Sequence, residues 1–191
     1  YFFVELFFAL ISVITLFITA DFNTYFWLIK YSIIIAIFGL LTCIFVYDLK
    51  HKIMPDSWTL GAFILALIYS VFFGIGLKLS LIGAVTVTTP LLLIYLISRG
   101  RAMGFGDVKF AVFMGTLLGF SAGILALMLS FWIGGVVGCY LLIMSRVNSK
   151  FKKIDRRSEI AFGPFLVFGT FIVFIFNLNI DILLTWLSSV L

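Results

Sequence analysis

Two aspartates, Asp48 and Asp107, are the residues best suited to chemistry in this sequence, because each borders a long apolar run. Only eight of the 191 residues are acidic. A carboxylate at the edge of an apolar membrane segment is costly unless it is paired or lines a wet cavity. Two carboxylates held together share one proton, so one can accept a proton from water while the other donates one. Such a pair is suited to hydrolysis by acid–base catalysis.

Apolar runs predict the helices that would position this pair. They extend over about 1–20, 27–48, 57–75, 79–98, 107–119, 122–145 and 161–177, and the tail 178–191 either continues the last helix or lies at the interface. Two whole helices separate Asp48 from Asp107, so the chain returns to the same membrane face. The two aspartates can therefore meet, Asp48 at the end of one helix and Asp107 at the start of another.

Composition indicates a membrane protein. Hydrophobic residues make up 64% of the chain and charged residues 11%, whereas an ordinary soluble domain has about 25% charged residues. We expect one all-α, polytopic helical bundle of about seven transmembrane helices over 1–191, with its core at 27–177. Cys43 and Cys139 lie inside apolar runs and His51 is the single histidine, so we expect no metal and no cofactor.

The basic residues predict the orientation. All lysines and arginines except Lys30 and Lys78 fall in the loops after the second, fourth and sixth predicted helices. These loops share one membrane side, which the positive-inside rule makes cytoplasmic, and both aspartates lie on that side. This bias explains the net charge of +5, so the bilayer is the expected partner and nucleic acid is not.

Glycines precede the second aspartate. Gly104 and Gly106 form a Gly-x-Gly-Asp loop with Asp107, and glycine permits backbone conformations that other residues avoid. A solvated helix cap or a surface ion pair is the alternative interpretation for either aspartate alone.

Three segments together carry a family resemblance. YDLKHKIMPD (47–56), AMGFGDVK (102–109) and EIAFGPF (159–165) resemble, in order and spacing, the motifs of type IV prepilin peptidases, which are GxGD intramembrane aspartyl proteases. The resemblance extends over nearly the whole chain. It implies that Asp48 and Asp107 are the catalytic pair. It also implies supporting roles for other motif residues: Pro55, Asp56, Gly104, Gly106, Lys109, Gly163 and Pro164.

The same resemblance implies a substrate and a place in the cell. The substrate would be the N-terminus of a type IV prepilin or pseudopilin, whose short basic leader is cut after a glycine at the cytoplasmic side of the inner membrane. Many members also methylate the new N-terminus, using a region with paired cysteines that this sequence lacks. We therefore expect no methyltransferase activity. Because the chain begins at Tyr1, we expect either part of a longer protein or a naturally short member.

Four further charged residues have open roles. Asp56 would contact substrate or cap a helix N-terminus, and Lys109 would orient Asp107 or anchor the helix at the interface. Glu159 would attract a basic leader or pair with a neighbouring arginine. Glu5, inside the first apolar run, would bind a substrate amine or a polar group of another helix, unless it lies near the interface.

Other functions fit parts of the pattern. A preflagellin peptidase is hard to separate from the prepilin enzymes, and a presenilin-like protease also combines Tyr-Asp with GxGD. A proton-coupled transporter would normally place its acids near the midplane of repeated halves, and this sequence has no repeat. The sequence leaves the oligomeric state open.

Overall fold

The computed structural model describes residues 9–10, 12–15, 26–147, 161–180 and 188, and this part of the chain is helical without a strand. The all-α prediction is therefore confirmed. The five long helices are α1 (Trp27–His51), α2 (Asp56–Phe72), α3 (Leu77–Ser98), α4 (Phe105–Val147) and α5 (Gly163–Ile175).

Helix α4 contains a break at Gly119, whose φ of 78° and ψ of −167° are not helical. A methyl group added at Gly123 would lie 3.6 Å from Gly115 Cα, although eight residues of continuous helix span about 12 Å. The two arms, 105–118 and 120–147, therefore fold back on each other. The sequence predicted two separate helices here, and the reversal at Gly119 confirms that division.

Close packing of small residues holds α4 against α3. A methyl group added at Gly83 would collide with the backbone of Gly115 and Gly119, and the Ser80 hydroxyl donates a hydrogen bond of 2.8 Å to the Thr116 carbonyl. Gly115 therefore allows the close approach of α3 and α4. Gly119 has a second role, since its positive φ is the conformation that glycine adopts most readily.

The helices form a ring around the core. Helix α1 packs against α2 and α5, and α4 packs against α2, α3 and α5, but no Cα atom of α1 lies within 8 Å of a Cα atom of α4. Large apolar side chains fill the centre of this ring; the largest fully buried ones include Phe38, Phe110, Phe113, Ile34, Ile37, Leu41 and Leu166.

By length and composition, three helical segments are long and apolar enough to cross a membrane: Trp27–His51, Leu77–Ser98 and Phe105–Leu141, the last of which includes the reversal at Gly119. Helices α2 and α5 are apolar but shorter. Many large apolar side chains face outward, as expected for a protein whose solvent is lipid. Of the predicted first helix, residues 9–10 and 12–15 are helical; the rest of it, and most of the tail, lie outside the described residues. A total of seven spans stays a prediction.

Candidate active site

Asp48 lies in the last turn of α1, and its side chain is only 5% exposed. The helix ends at Lys52, whose left-handed φ of 55° lets its N–H donate to the Asp48 carbonyl at 2.8 Å. The Tyr47 ring stacks on His51, with centroids 4.3 Å apart, and meets Trp58 of α2 edge-on at 5.4 Å. These contacts fix the end of α1 against the start of α2.

Asp107 lies in the first turn of α4 and is 8% exposed. Its N–H donates a hydrogen bond of 3.3 Å to the Gly104 carbonyl, so the glycine loop turns tightly into the helix. The N-terminal end of a helix favours a carboxylate, because unpaired N–H groups and the helix dipole face it. The predicted positions of both aspartates at helix ends are confirmed.

Both aspartates lie at the same end of the bundle, because Met54 packs against Gly106, which precedes Asp107, and against Gly163, which also contacts Asp48 Oδ2. No Cα atom of α1 lies within 8 Å of one in α4, so it is the side chains and the loops that bring the two helix ends together. Asp48 Oδ2 is buried and has no hydrogen-bond partner among the described residues. A buried carboxylate oxygen without a hydrogen bond is uncommon in a folded protein, which makes Asp48 a candidate for a functional role rather than a packing role.

The start of α5 forms a third wall beside Asp48. Gly163 is the first residue of α5, followed by Pro164 in the first turn, where proline is favoured because its missing N–H would be unpaired anyway. A methyl group added at Gly163 would collide with Asp48 Oδ2 and with the terminal methyl of Met54. The backbone of α5 can therefore approach Asp48 only because residue 163 is glycine.

Met54, in the loop between α1 and α2, is the residue that the sequence analysis missed. It is 8% exposed, whereas its neighbour Ile53 is 63% exposed. A methyl group added at Gly106 would lie 3.1 Å from Met54 Cβ and 3.3 Å from its Cγ. The sequence signal was two adjacent apolar residues in a charged loop, but periodicity cannot tell which of the two is buried.

Asp56 does not cap α2. Pro55 occupies the N-cap position without a side-chain hydrogen bond, and Asp56 is the first helical residue. Its Oδ1 instead accepts a hydrogen bond from Lys109 Nζ at 2.6 Å, in a partly exposed ion pair. The capping prediction is wrong because the loop enters α2 through proline and Lys109 lies within reach. Lys109 Nζ also lies 5.2 Å from the centre of the Phe105 ring.

The structure brings most of the predicted site residues together. Gly104, Gly106 and Pro55 surround the two aspartates in the glycine loop and the α1–α2 loop, and Gly163 and Pro164 begin the helix beside Asp48. Glu159 and Glu5 lie outside the described residues, so their proposed contacts with substrate stay predictions. Among the described residues, no group of three or more His, Cys, Asp or Glu could hold a metal ion.

Similarity to known proteins extends over the part of the chain that contains both aspartates. Residues 34–139 match the model of the type IV leader peptidase family. The chain belongs to this family. The match includes α2, α3, both aspartates and the Gly-x-Gly-Asp loop of this chain, and ends before α5 begins.

Several curated relatives in the family are named prepilin leader peptidase/N-methyltransferase. The protein from Legionella pneumophila is 32% identical over 158 residues, covering 80% of this chain and 51% of the relative. Those from Xanthomonas campestris and Stutzerimonas stutzeri are 30% and 29% identical, covering 66% and 68% of this chain and 44% of each relative. The chain thus spans about half the length of the curated relatives it matches. No solved structure gives a significant match.

Proposed function

We propose that this chain is an intramembrane aspartyl endopeptidase that removes the short basic leader of type IV prepilins or pseudopilins at the cytoplasmic membrane face. The observation that carries the proposal is the pair of buried aspartates, Asp48 and Asp107, at helix ends that lie together at one end of the bundle. Family membership and the names of the relatives support a prepilin as substrate.

Hydrolysis by this pair needs one carboxylate ionised and one protonated. A water between Asp48 and Asp107 gives a proton to the ionised carboxylate, and its oxygen bonds to the scissile carbonyl carbon. The protonated carboxyl donates its proton to the carbonyl oxygen, which yields a neutral gem-diol. As the C–N bond breaks, the carboxyl that took the water proton delivers it to the leaving nitrogen, and the gem-diol returns a proton to the other carboxylate.

The local surroundings of the two aspartates differ without fixing which is the acid and which is the base. Asp107 lies at a helix N-terminus, which favours its ionised form, while Asp48 lies in the last turn of α1 and has an unpartnered oxygen. Because the two groups share protons, they titrate as a pair, and a fixed assignment of acid and base is unnecessary.

A proton-coupled transporter would use the same two aspartates for a different purpose. Its acids would load and release protons without bond cleavage, and substrate would move across the bilayer. The location of both aspartates at one end of the bundle, rather than halfway along the helices, favours the peptidase.

A cleavage assay separates these functions. The chain, reconstituted in liposomes, is incubated with a purified prepilin, and loss of the leader is followed on a gel and by mass spectrometry. We expect cleavage by the wild type and none by Asp48→Asn or Asp107→Asn. Asp21→Asn, the same chemical change in the loop predicted to lie on the opposite membrane side, is the matched control and should cleave. Equal cleavage by Asp107→Asn and the wild type would rule out the aspartyl mechanism.

A further inference from the structure

The backbones of the two helices that carry the aspartates are not in close contact, since no Cα atom of α1 lies within 8 Å of one in α4. The separation of the aspartates therefore depends on the segments packed between the two helix ends. The α1–α2 loop is such a segment, because its Met54 contacts both Gly106, beside Asp107, and Gly163, beside Asp48.

Met54 is the side chain in these segments that touches both sides. Its Cβ, Cγ and Sδ pack against Gly106, where an added methyl group would lie 3.1, 3.3 and 3.5 Å from them. Gly106 directly precedes Asp107 in the chain. At its other end, the Met54 methyl packs against Gly163, at a position that also contacts Asp48 Oδ2.

We propose that Met54 is a positioning residue that sets the separation of the Asp48 and Asp107 carboxylates. Its thioether spans from the backbone beside one aspartate to the backbone beside the other, and the glycines at 106 and 163 leave the space in which it fits. An unbranched, adaptable side chain suits such an irregular gap. This inference rests on the proposed peptidase function, since it assigns Met54 a role in that reaction.

A purely structural role predicts a different outcome. Met54 belongs to the buried apolar cluster, and truncating any buried methionine leaves a cavity that lowers stability. Met114 is also buried, lies seven residues beyond Asp107 in α4, and provides the matched control. A structural residue changes the fraction of folded enzyme, whereas a positioning residue changes kcat of the enzyme that is folded.

The first test compares Met54→Ala with Met114→Ala in prepilin cleavage, with rates divided by the folded fraction. We expect Met54→Ala to lower kcat at least about tenfold, with KM within about twofold, because displacement of a reacting group by about 1 Å can cost 10²-fold. The pH dependence of kcat should also change, since the coupling of the two carboxylates depends on their distance. Met114→Ala should keep kcat within about threefold and leave the pH profile unaltered.

The second test asks for compensation between residues. The three atoms nearest to the methyl group of Gly106→Ala all belong to Met54, so we expect this variant to lower kcat and expect Met54→Ala in the same chain to restore part of the loss. Gly163→Ala also meets Asp48 Oδ2, so Met54→Ala should not rescue it. The contrast uses the same added methyl group at two positions.

The outcomes separate the two hypotheses. If the wild type fails to cleave, or if Asp107→Asn cleaves normally, the proposed function is wrong. If the wild type cleaves and the aspartate variants do not, but Met54→Ala matches Met114→Ala in kcat and pH profile, the positioning role alone is overturned. Should Met54→Ala fail to fold, Met54→Leu is tested in its place, because leucine keeps the side-chain volume. A folded Met54→Leu that does not cleave prepilin would overturn the positioning role as well.

Discussion

Gly163→Ala offers the sharpest single perturbation of the candidate site. Alanine would suit the helical backbone at this position, the first residue of α5, so backbone strain does not enter. The added methyl group would instead collide with Asp48 Oδ2 and the end of Met54. The carboxylate must move or rotate to relieve the collision, and overpacking of this kind typically costs about 1–3 kcal/mol.

The effect on catalysis should exceed the effect on stability. If Asp48 is displaced by about 1 Å, the loss in kcat is on the order of 10²-fold, which corresponds to about 2.7 kcal/mol of transition-state stabilisation. The assay is prepilin cleavage in liposomes under single-turnover conditions, with thermal unfolding measured in parallel. Gly135→Ala is the matched control, because nothing lies within 4 Å of its added methyl group. We expect it to retain wild-type cleavage.

Near-wild-type turnover by Gly163→Ala would refute this reasoning. It would mean either that Asp48 takes no part in the reaction or that the contact between α5 and Asp48 does not persist in the working enzyme. Asp48→Asn distinguishes these two cases. If Asp48→Asn is inactive while Gly163→Ala is active, Asp48 takes part in the reaction and only the proposed contact with α5 is refuted.

Three further predictions concern the aspartate pair, the ion pair between Lys109 and Asp56, and the packing of α3 against α4. A plot of wild-type kcat/KM against pH should be bell-shaped. At low pH both carboxylates are protonated and the base is lost, and at high pH both are ionised and the acid is lost. A profile with a single ionisation would argue against the aspartate pair. Lys109→Met should lower the free energy of unfolding by less than about 1 kcal/mol, because the pair with Asp56 is partly exposed, and a thermal melt checks this. Gly83→Ala should cost about 1–3 kcal/mol, since the new methyl group meets the backbone of Gly115 and Gly119; a melting temperature equal to that of Gly135→Ala would contradict it.

Local patterns in the sequence were enough to predict most of the helices. The boundaries predicted for the helices from 27 to 98 differ from α1, α2 and α3 by three residues or fewer, because polar clusters interrupt the apolar runs sharply. The seven-span count and the cytoplasmic orientation stay predictions, and Glu5 and Glu159 lie outside the described residues. Interpretation failed at Asp56, where a helix-start pattern favoured a cap and the structure has an ion pair with Lys109.

What the sequence alone determined is the set of parts: apolar helical segments, and two aspartates at helix ends with two helices between them. These follow from hydropathy and helix-end chemistry, which act over a few residues. The tertiary structure decided how the parts meet. The chain reverses at Gly119, α5 approaches Asp48 at Gly163, and Met54 rather than Ile53 turns inward to lie between Gly106 and Gly163. The contacts of Gly163 with Asp48 and of Met54 with the two glycines join residues more than 50 positions apart, and their geometry depends on the packing of the whole ring of helices, which no local pattern encodes.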